Sequence, residues 1–345
     1  MTTTVNPLLL LFFRTSRFLR LAAAGATVAI PLLGAVTAQG DPSLGRVGSI
    51  AAVGFAYHVF AFVLNDVCDL PIDRTEPRRA GSPLVLGLVT PRFALVVAVC
   101  AGVAALALSE LLGASPLAQA LLLSSFVPIA AYDVWGKQTP VPPVIDVVQG
   151  VGWGLLAWYG AEMAGGAGAT TAVFCVFLVG YIALANGVHG GVRDLGNDQA
   201  RGAKTTPTFF GAIPLGGGAA KCSPTLRRYA ITLETLNGIL AGLMIPTLGY
   251  RGWVLGCVVA IWLLLFGLSR RLLHRALDVT EERRRMMVAG TSHLIVSFAA
   301  AVAVLLPVAP PVIAVFVLVV YVSPLLTYGW LLDAILMVPE PRSTR

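Results

Sequence analysis

The chain has 345 residues, 57% of them hydrophobic and only 12% charged, with a mean hydropathy of +0.82, whereas soluble domains carry roughly 25% charged residues. A water-soluble globule is excluded. Apolar stretches of about 20 residues recur along nearly the whole length, the span a helix needs to cross a hydrocarbon layer about 30 Å thick. Runs of that length also argue against an outer-membrane barrel, whose strands are about ten residues with strict alternation. The composition implies an all-α fold: a polytopic membrane helical bundle, one integral membrane domain over 1–345. The net charge of +7 lies between apolar spans, not in a basic domain with interleaved aromatics, so it speaks for topology and lipid contact and against nucleic acid. Cys68, Cys100, Cys175, Cys222 and Cys257 are odd in number, scattered and without C-x-x-C spacing; they read as reduced packing residues.

In chain order, an apolar patch over Pro7–Phe13 precedes Arg14, Arg17 and Arg20, the reverse of a secretory signal, and reads as a cytoplasmic end. Ten spans are then expected near 18–37, 47–65, 92–112, 114–132, 143–164, 167–189, 229–250, 252–274, 287–307 and 310–332. Alternating topology tests that count, because Lys and Arg should gather on one side. With the N-terminus inside, only Arg46 and Arg251 of the 24 basic residues fall outside. The long connections, about 65–91 and 190–228, are both on the inner side. Chemistry is therefore expected at the cytoplasmic face of a multi-pass cell-membrane protein.

The second span ends in Asn65-Asp66-Val67-Cys68-Asp69-Leu70-Pro71-Ile72-Asp73, followed by Arg74, Arg78 and Arg79. On a helix Asp66, Asp69 and Asp73 are i, i+3 and i+7 and share a face, with Pro71 kinking or ending that helix. Three carboxylates at a helix C-terminus oppose the dipole and need a cation among them. A partly hydrated Mg²⁺ held by hard oxygen ligands answers that need. A lone D-x-x-D fits a solvated loop of Asp–Arg pairs equally well. A second cluster, His189-Gly190-Gly191-Val192-Arg193-Asp194 through Asp198, Arg201 and Lys204, follows the sixth span. Asp194 and Asp198, at i and i+4, again share a face. Carboxylates that hold metal beside basic groups that grip phosphate make a diphosphate site.

N-D-x-x-D-x-x-x-D after the second span, D-x-x-x-D-x-x-x-G-x-K-T after the sixth, and Tyr132-Asp133-Val134-Trp135-Gly136-Lys137 after the fourth together resemble the UbiA superfamily of intramembrane prenyltransferases, which includes terpene cyclases. The resemblance covers about 14–307 and implies helices around a central cavity where Mg²⁺ holds a prenyl diphosphate of C10 to C20. It assigns Asp66, Asp69, Asp73, Asp194 and Asp198 to metal and catalysis. It assigns Tyr132, Lys137 and Lys204 to the diphosphate, where Asn65 of the first motif and the neighbouring cations Arg74, Arg78, Arg193 and Arg201 are also expected. The family usually has nine spans, so 310–332 reads as an addition. Quinone-branch members often carry an Asn where this chain has Gly190-Gly191, with Asn186 two turns earlier.

A carbocation formed at such a site survives only where water is excluded and aromatic faces are near. Tyr57, Phe62, Tyr132, Trp153, Trp158, Tyr159, Phe177 and Tyr181 adjoin the site; Trp153, set in Gly150-Val151-Gly152-Trp153-Gly154, is the leading candidate. His58 and His189 are candidate bases that compete with a plain hydrogen-bonding role. With Tyr57, Trp153 and Asn186 they make up the expected substrate pocket. Two reactions fit: transfer of the prenyl group to a lipophilic acceptor, aromatic or quinone-type, and cyclisation without an acceptor. A cation-coupled transporter using Asp146, Glu162 and Glu234 is the alternative from another class. It is weakened because the clustered acids sit at inner helix ends and no repeat of broken helices is visible.

Overall fold

The computed structural model describes residues 7–40, 42–76, 79–215, 219–278, 283–311 and 313–319. Several helix starts follow from short polar caps before a proline, whose fixed φ suits the first turn and whose missing N–H costs nothing there. The side chains of Thr90, Ser115 and Ser223 accept from the N–H groups of Phe93, Ala118 and Leu226, each ahead of a proline at the helix start. In order the helices are α1 (Pro7–Phe18), α2 (Leu21–Val36), α3 (Leu44–Cys68), the single turn α4 (Leu70–Asp73), α5 (Pro91–Leu111), α6 (Pro116–Trp135), α7 (Pro142–Met163) and α8 (Ala169–Ile182). A π-helical segment, Ala183–Gly190, leads without a break into α9 (Gly191–Ala200). Then come the short α10 (Thr206–Phe209), a two-stranded antiparallel ribbon pairing Ile213 with Lys221, α11 (Pro224–Thr247), α12 (Gly252–Asp278) and α13 (Arg283–Leu305).

Among the described residues seven helices are long and apolar enough to cross a membrane, and α2 is a shorter apolar helix. The first nine expected spans all appear as helices, with different limits. Span one is divided, because Arg20 between α1 and α2 takes a left-handed conformation, φ 47°, unusual for a residue with a Cβ. Span six does not stop at His189. Gly190-Gly191, just past the expected end, lies inside a continuous helix, with Gly191 N–H reaching Asn186 O, five residues back. The expected span at 310–332 falls mostly outside the described residues.

Helix α7 is central, packed against α2, α6 and α8. Close approach on that scale needs residues without side chains: a Cβ on Gly150 would lie 2.7 Å from the backbone of Val179 on α8. One core cluster runs through α2, α3, α6, α7 and α8, with Tyr57, Tyr159, Phe174 and Phe177 fully buried. A second joins the π segment and α9 to α11, α12 and α13 through Leu184, Val188, Val192, Leu195, Leu226 and Leu273. That second cluster carries the end of the long helix bearing Asp194 and Asp198.

Candidate functional site

The two acidic stretches meet. Helix α3 ends at Cys68, Asp69 caps it, and the single turn of α4 begins at Leu70 with Pro71 in its first positions, so the expected shared face is divided between a helix end and a new turn. Lys137, just beyond α6, bridges the two motifs: its Nζ lies 3.3 Å from Asp69 Oδ2 and 3.2 Å from Asp198 Oδ1. Arg79 lies 3.6 Å from Asp66 Oδ1 and 3.4 Å from Asp73 Oδ2. Arg20 pairs bidentately with Asp66, Nε to Oδ2 at 3.2 Å, and its guanidinium stands 5.5 Å from the Phe62 ring centroid. Arg193 holds Asp194 at 2.9 Å.

Polar tethers fix the rims to each other. Asn197 Nδ2 donates to Ile72 O at 3.1 Å, Thr75 Oγ1 donates to Asn197 Oδ1 at 2.9 Å, and Arg201 Nε donates to Thr75 Oγ1 at 3.1 Å. Lys204 N–H donates to Lys137 O at 2.9 Å, tying the second motif's loop to the segment after α6. Asn65 Nδ2 donates to the buried Asp133 Oδ1 at 3.1 Å, and Asn186 Nδ2 to Gln149 Oε1 at 2.7 Å.

Asn65, Asp69, Asp73, Tyr132, Lys137, Trp153, Asn186, Arg193, Asp194, Asp198 and Lys204 line a cavity of about 170 Å³, whereas Asp66, buried against Arg20, is not on its wall. A neighbouring cleft of about 460 Å³ shares Asp73, Lys137, Arg193, Asp194 and Asp198 with it. The first volume falls below the roughly 300–1,000 Å³ of ligand pockets, while the second lies within that range. Burial, chiefly, and the neighbouring carboxylates push the Asp73 carboxyl above its usual range, against the pull of Arg79. At Lys137 burial opposes the charge, but Asp69 and Asp198 outweigh it and raise the ammonium. Burial lowers the Arg79 guanidinium, reinforced by Arg20.

Several expected site residues lie elsewhere. Arg74 and Arg201 are exposed and outside the cavity wall, Arg201 being engaged with Thr75. Arg78 lies outside the described residues. Tyr57 is fully buried behind Trp153, with ring centroids 5.5 Å apart, and its hydroxyl donates to Ser125 O at 2.9 Å. His58 is also buried, bonded to Thr27 Oγ1 at 3.0 Å and Leu19 O at 2.9 Å. His189 turns away from the cavity to His293, 2.8 Å distant. Of the eight aromatics only Phe62, Tyr132 and Trp153 reach the wall, and the Trp153 indole N–H is buried without a partner.

Arg20, Arg79, Asp133, Gln149, Thr205 and Thr206 also line the cavity and were not among the expected site residues. Nothing local marks them: Arg20 reads as one more inner-side cation, and Arg79 as a neighbour of Arg78. Among the described residues no three His, Cys, Asp or Glu side chains form a ready metal cage. The donors on the wall are oxygen ligands interleaved with movable cations, a set that suits Mg²⁺ over softer metals.

A membrane bundle with a cation-laced acidic cleft is the class that fold and site define. The sequence profile of the UbiA prenyltransferase family matches residues 26–291, and the chain belongs to that family. It is 28% identical over 184 residues to the digeranylgeranylglyceryl phosphate synthase of Thermococcus sibiricus, a match covering 53% of this chain and 63%, under two thirds, of that protein. The fold is similar to the apo structure of a UbiA homolog from Aeropyrum pernix K1, with a TM-score of 0.63 and 16% identity over 82% of this chain and 97% of that one. It is also similar to a UbiA homolog from Archaeoglobus fulgidus bound to GPP and Mg²⁺, with a TM-score of 0.61 and 15% identity over 84% and 99% of the two chains.

Proposed function

We propose that this chain binds an allylic prenyl diphosphate, C10 to C20, at the cleft between α3–α4 and α9 and transfers the prenyl group to a lipophilic acceptor. The observation that carries this reading is Lys137 Nζ standing within 3.3 Å of both Asp69 and Asp198, which puts two sequence-distant motifs within reach of one diphosphate. The GPP and Mg²⁺ in the A. fulgidus homolog support it. Asp66, Asp69, Asp73, Asp194 and Asp198 would hold Mg²⁺, which when bound supplies charge neutralisation of the departing diphosphate.

Lys137, Arg193 and Lys204, with Arg20 and Arg79, neutralise the remaining phosphate charge. The allylic C–O bond breaks with its electron pair going to diphosphate. The acceptor's nucleophile adds to the cation and then loses its proton. Trp153, Phe62 and Tyr132 shield the cation from water and present aromatic faces, each worth about 0.5–2 kcal/mol. The Thermococcus relative's name points to a glyceryl phosphate acceptor in preference to the aromatic or quinone type that the family resemblance brought forward. The distribution of Lys and Arg supports a cleft at the cytoplasmic side.

Mass spectrometry of products from purified protein with Mg²⁺ and C10, C15 or C20 diphosphates, with a glyceryl phosphate lipid or an aromatic acid, tests the reading. A prenylated acceptor with equimolar diphosphate release is expected. Cyclic hydrocarbon made without an acceptor, or no reaction in any combination, would contradict it.

A further inference from the structure

Away from the cleft, three groups that the chemistry above does not use are joined inside the bundle. His189 Nε2 is 2.8 Å from His293 Nδ1, and His293 Nε2 is 3.0 Å from Glu234 Oε2. Ser269 and Ser297 donate to the same carboxylate. Glu234 is 1% exposed and His293 0%, so an unpartnered charge there would be severely destabilising. With Glu234 accepting from His293 Nε2–H, the Nδ1 of a neutral ring is left to accept from His189 Nε2–H. One polar line thus links α11, α12 and α13 to the π segment.

The π segment decides where the second motif faces. A helix makes a turn in 3.6 residues, so one inserted residue rotates everything downstream by about 100°. Wide turns of this kind are rare and need something to hold them. Asn186, Gly187 and Gly190 of the segment line the cavity, while His189 points the other way, into α13, where a Cβ on Gly290 would lie 2.9 Å from its ring. Asp194 and Asp198 follow within nine residues on the same continuous helix.

We propose that Glu234, His293 and His189 are positioning residues that pin the π segment and thereby set the face on which Asp194 and Asp198 meet Mg²⁺ and diphosphate. The inference rests on the function proposed above. Partners that orient metal ligands from behind typically change metal affinity 10- to 100-fold when removed.

The test is Mg²⁺-dependent binding of geranyl thiolodiphosphate, which resists ionisation, to the full chain in nanodiscs, with thermal unfolding measured in parallel. His189→Phe and Glu234→Gln should each weaken binding about 10- to 100-fold and raise KM for geranyl diphosphate more than they lower kcat. His189→Gln, which keeps a donor near the Nε2 position, should restore binding to within about threefold. Tyr250→Phe, removing the bond from Tyr250 to Val304 O at the far end of α13, should leave binding unchanged. Lowered thermal stability with unaltered binding in both His189→Phe and Glu234→Gln would overturn the positioning role alone. Failure of the unaltered protein to bind the analogue with Mg²⁺ would overturn the proposed function and this inference with it.

Discussion

The two acidic rims reach the same cleft by opposite structural routes. The first lies where a helix fails: α3 stops at Cys68, a new turn starts at Leu70-Pro71, and Asp66, Asp69 and Asp73 are held by cations from other segments, Arg20, Arg79 and Lys137. The second lies where a helix refuses to stop, running through a π segment into α9, so that Asp194 and Asp198 are aimed by helical register. Ligands on a broken end are placed by side chains of other segments, whereas ligands on a continuous helix are placed by the helix itself, and the tethers from Asn197 and Arg201 to Ile72 and Thr75 hold the two together.

The largest expected effect comes from losing a carboxylate on either rim. Asp69→Asn and Asp198→Asn should each lower product formation by about 100- to 1,000-fold, the scale of removing one preorganised electrostatic contact, with near-wild-type thermal stability. Rates within tenfold of the unaltered protein in both would remove the site. Chelation comes next: EDTA should stop turnover, and Mg²⁺ should restore it where Ca²⁺ does not, because the larger ion takes more ligands at longer distances. Turnover persisting in EDTA would contradict the carboxylate assignment.

Lys137→Met should cost about 100-fold in kcat/KM and Lys137→Arg less, since the bridging charge is kept but its shape is not. Equal losses in the two variants would show that charge at this point is irrelevant. The smallest effect is at the tether between rims. Asn197→Ala removes bonds to Ile72 and Thr75, each worth about 0.5–1.5 kcal/mol, and should raise KM by severalfold with kcat little changed. A change in kcat alone would place Asn197 in the chemistry instead.

Much of this was legible in the chain. Apolar run lengths and the clustering of Lys and Arg between them pointed to nine stretches that are helical among the described residues, and the spacing of carboxylates drew attention to both acidic stretches. What escaped were features made by tertiary contact. Gly190-Gly191 has the composition of a helix end, yet the segment is held in a π conformation by packing and by His189 on His293, which no local pattern encodes. Arg20 and Arg79 look like topology markers until their partners, 46 residues away for Arg20, are known. His58 and His189 have the right chemistry for bases, but ring orientation, set by Thr27 and His293, turns both away from the cavity wall. Trp153 was easier, because the flanking glycines dictate close helix approach and leave a large ring to project.

Equilibrium binding of labelled geranyl diphosphate at fixed Mg²⁺ to the unaltered protein, Asp69→Asn, Asp198→Asn and the double variant shows whether the two rims hold one ligand. If they do, the double variant loses little more than either single one, because removing one side already releases the shared ion and its diphosphate. Losses that simply multiply, or a single variant that binds as tightly as the unaltered protein, would mean that the rims act separately.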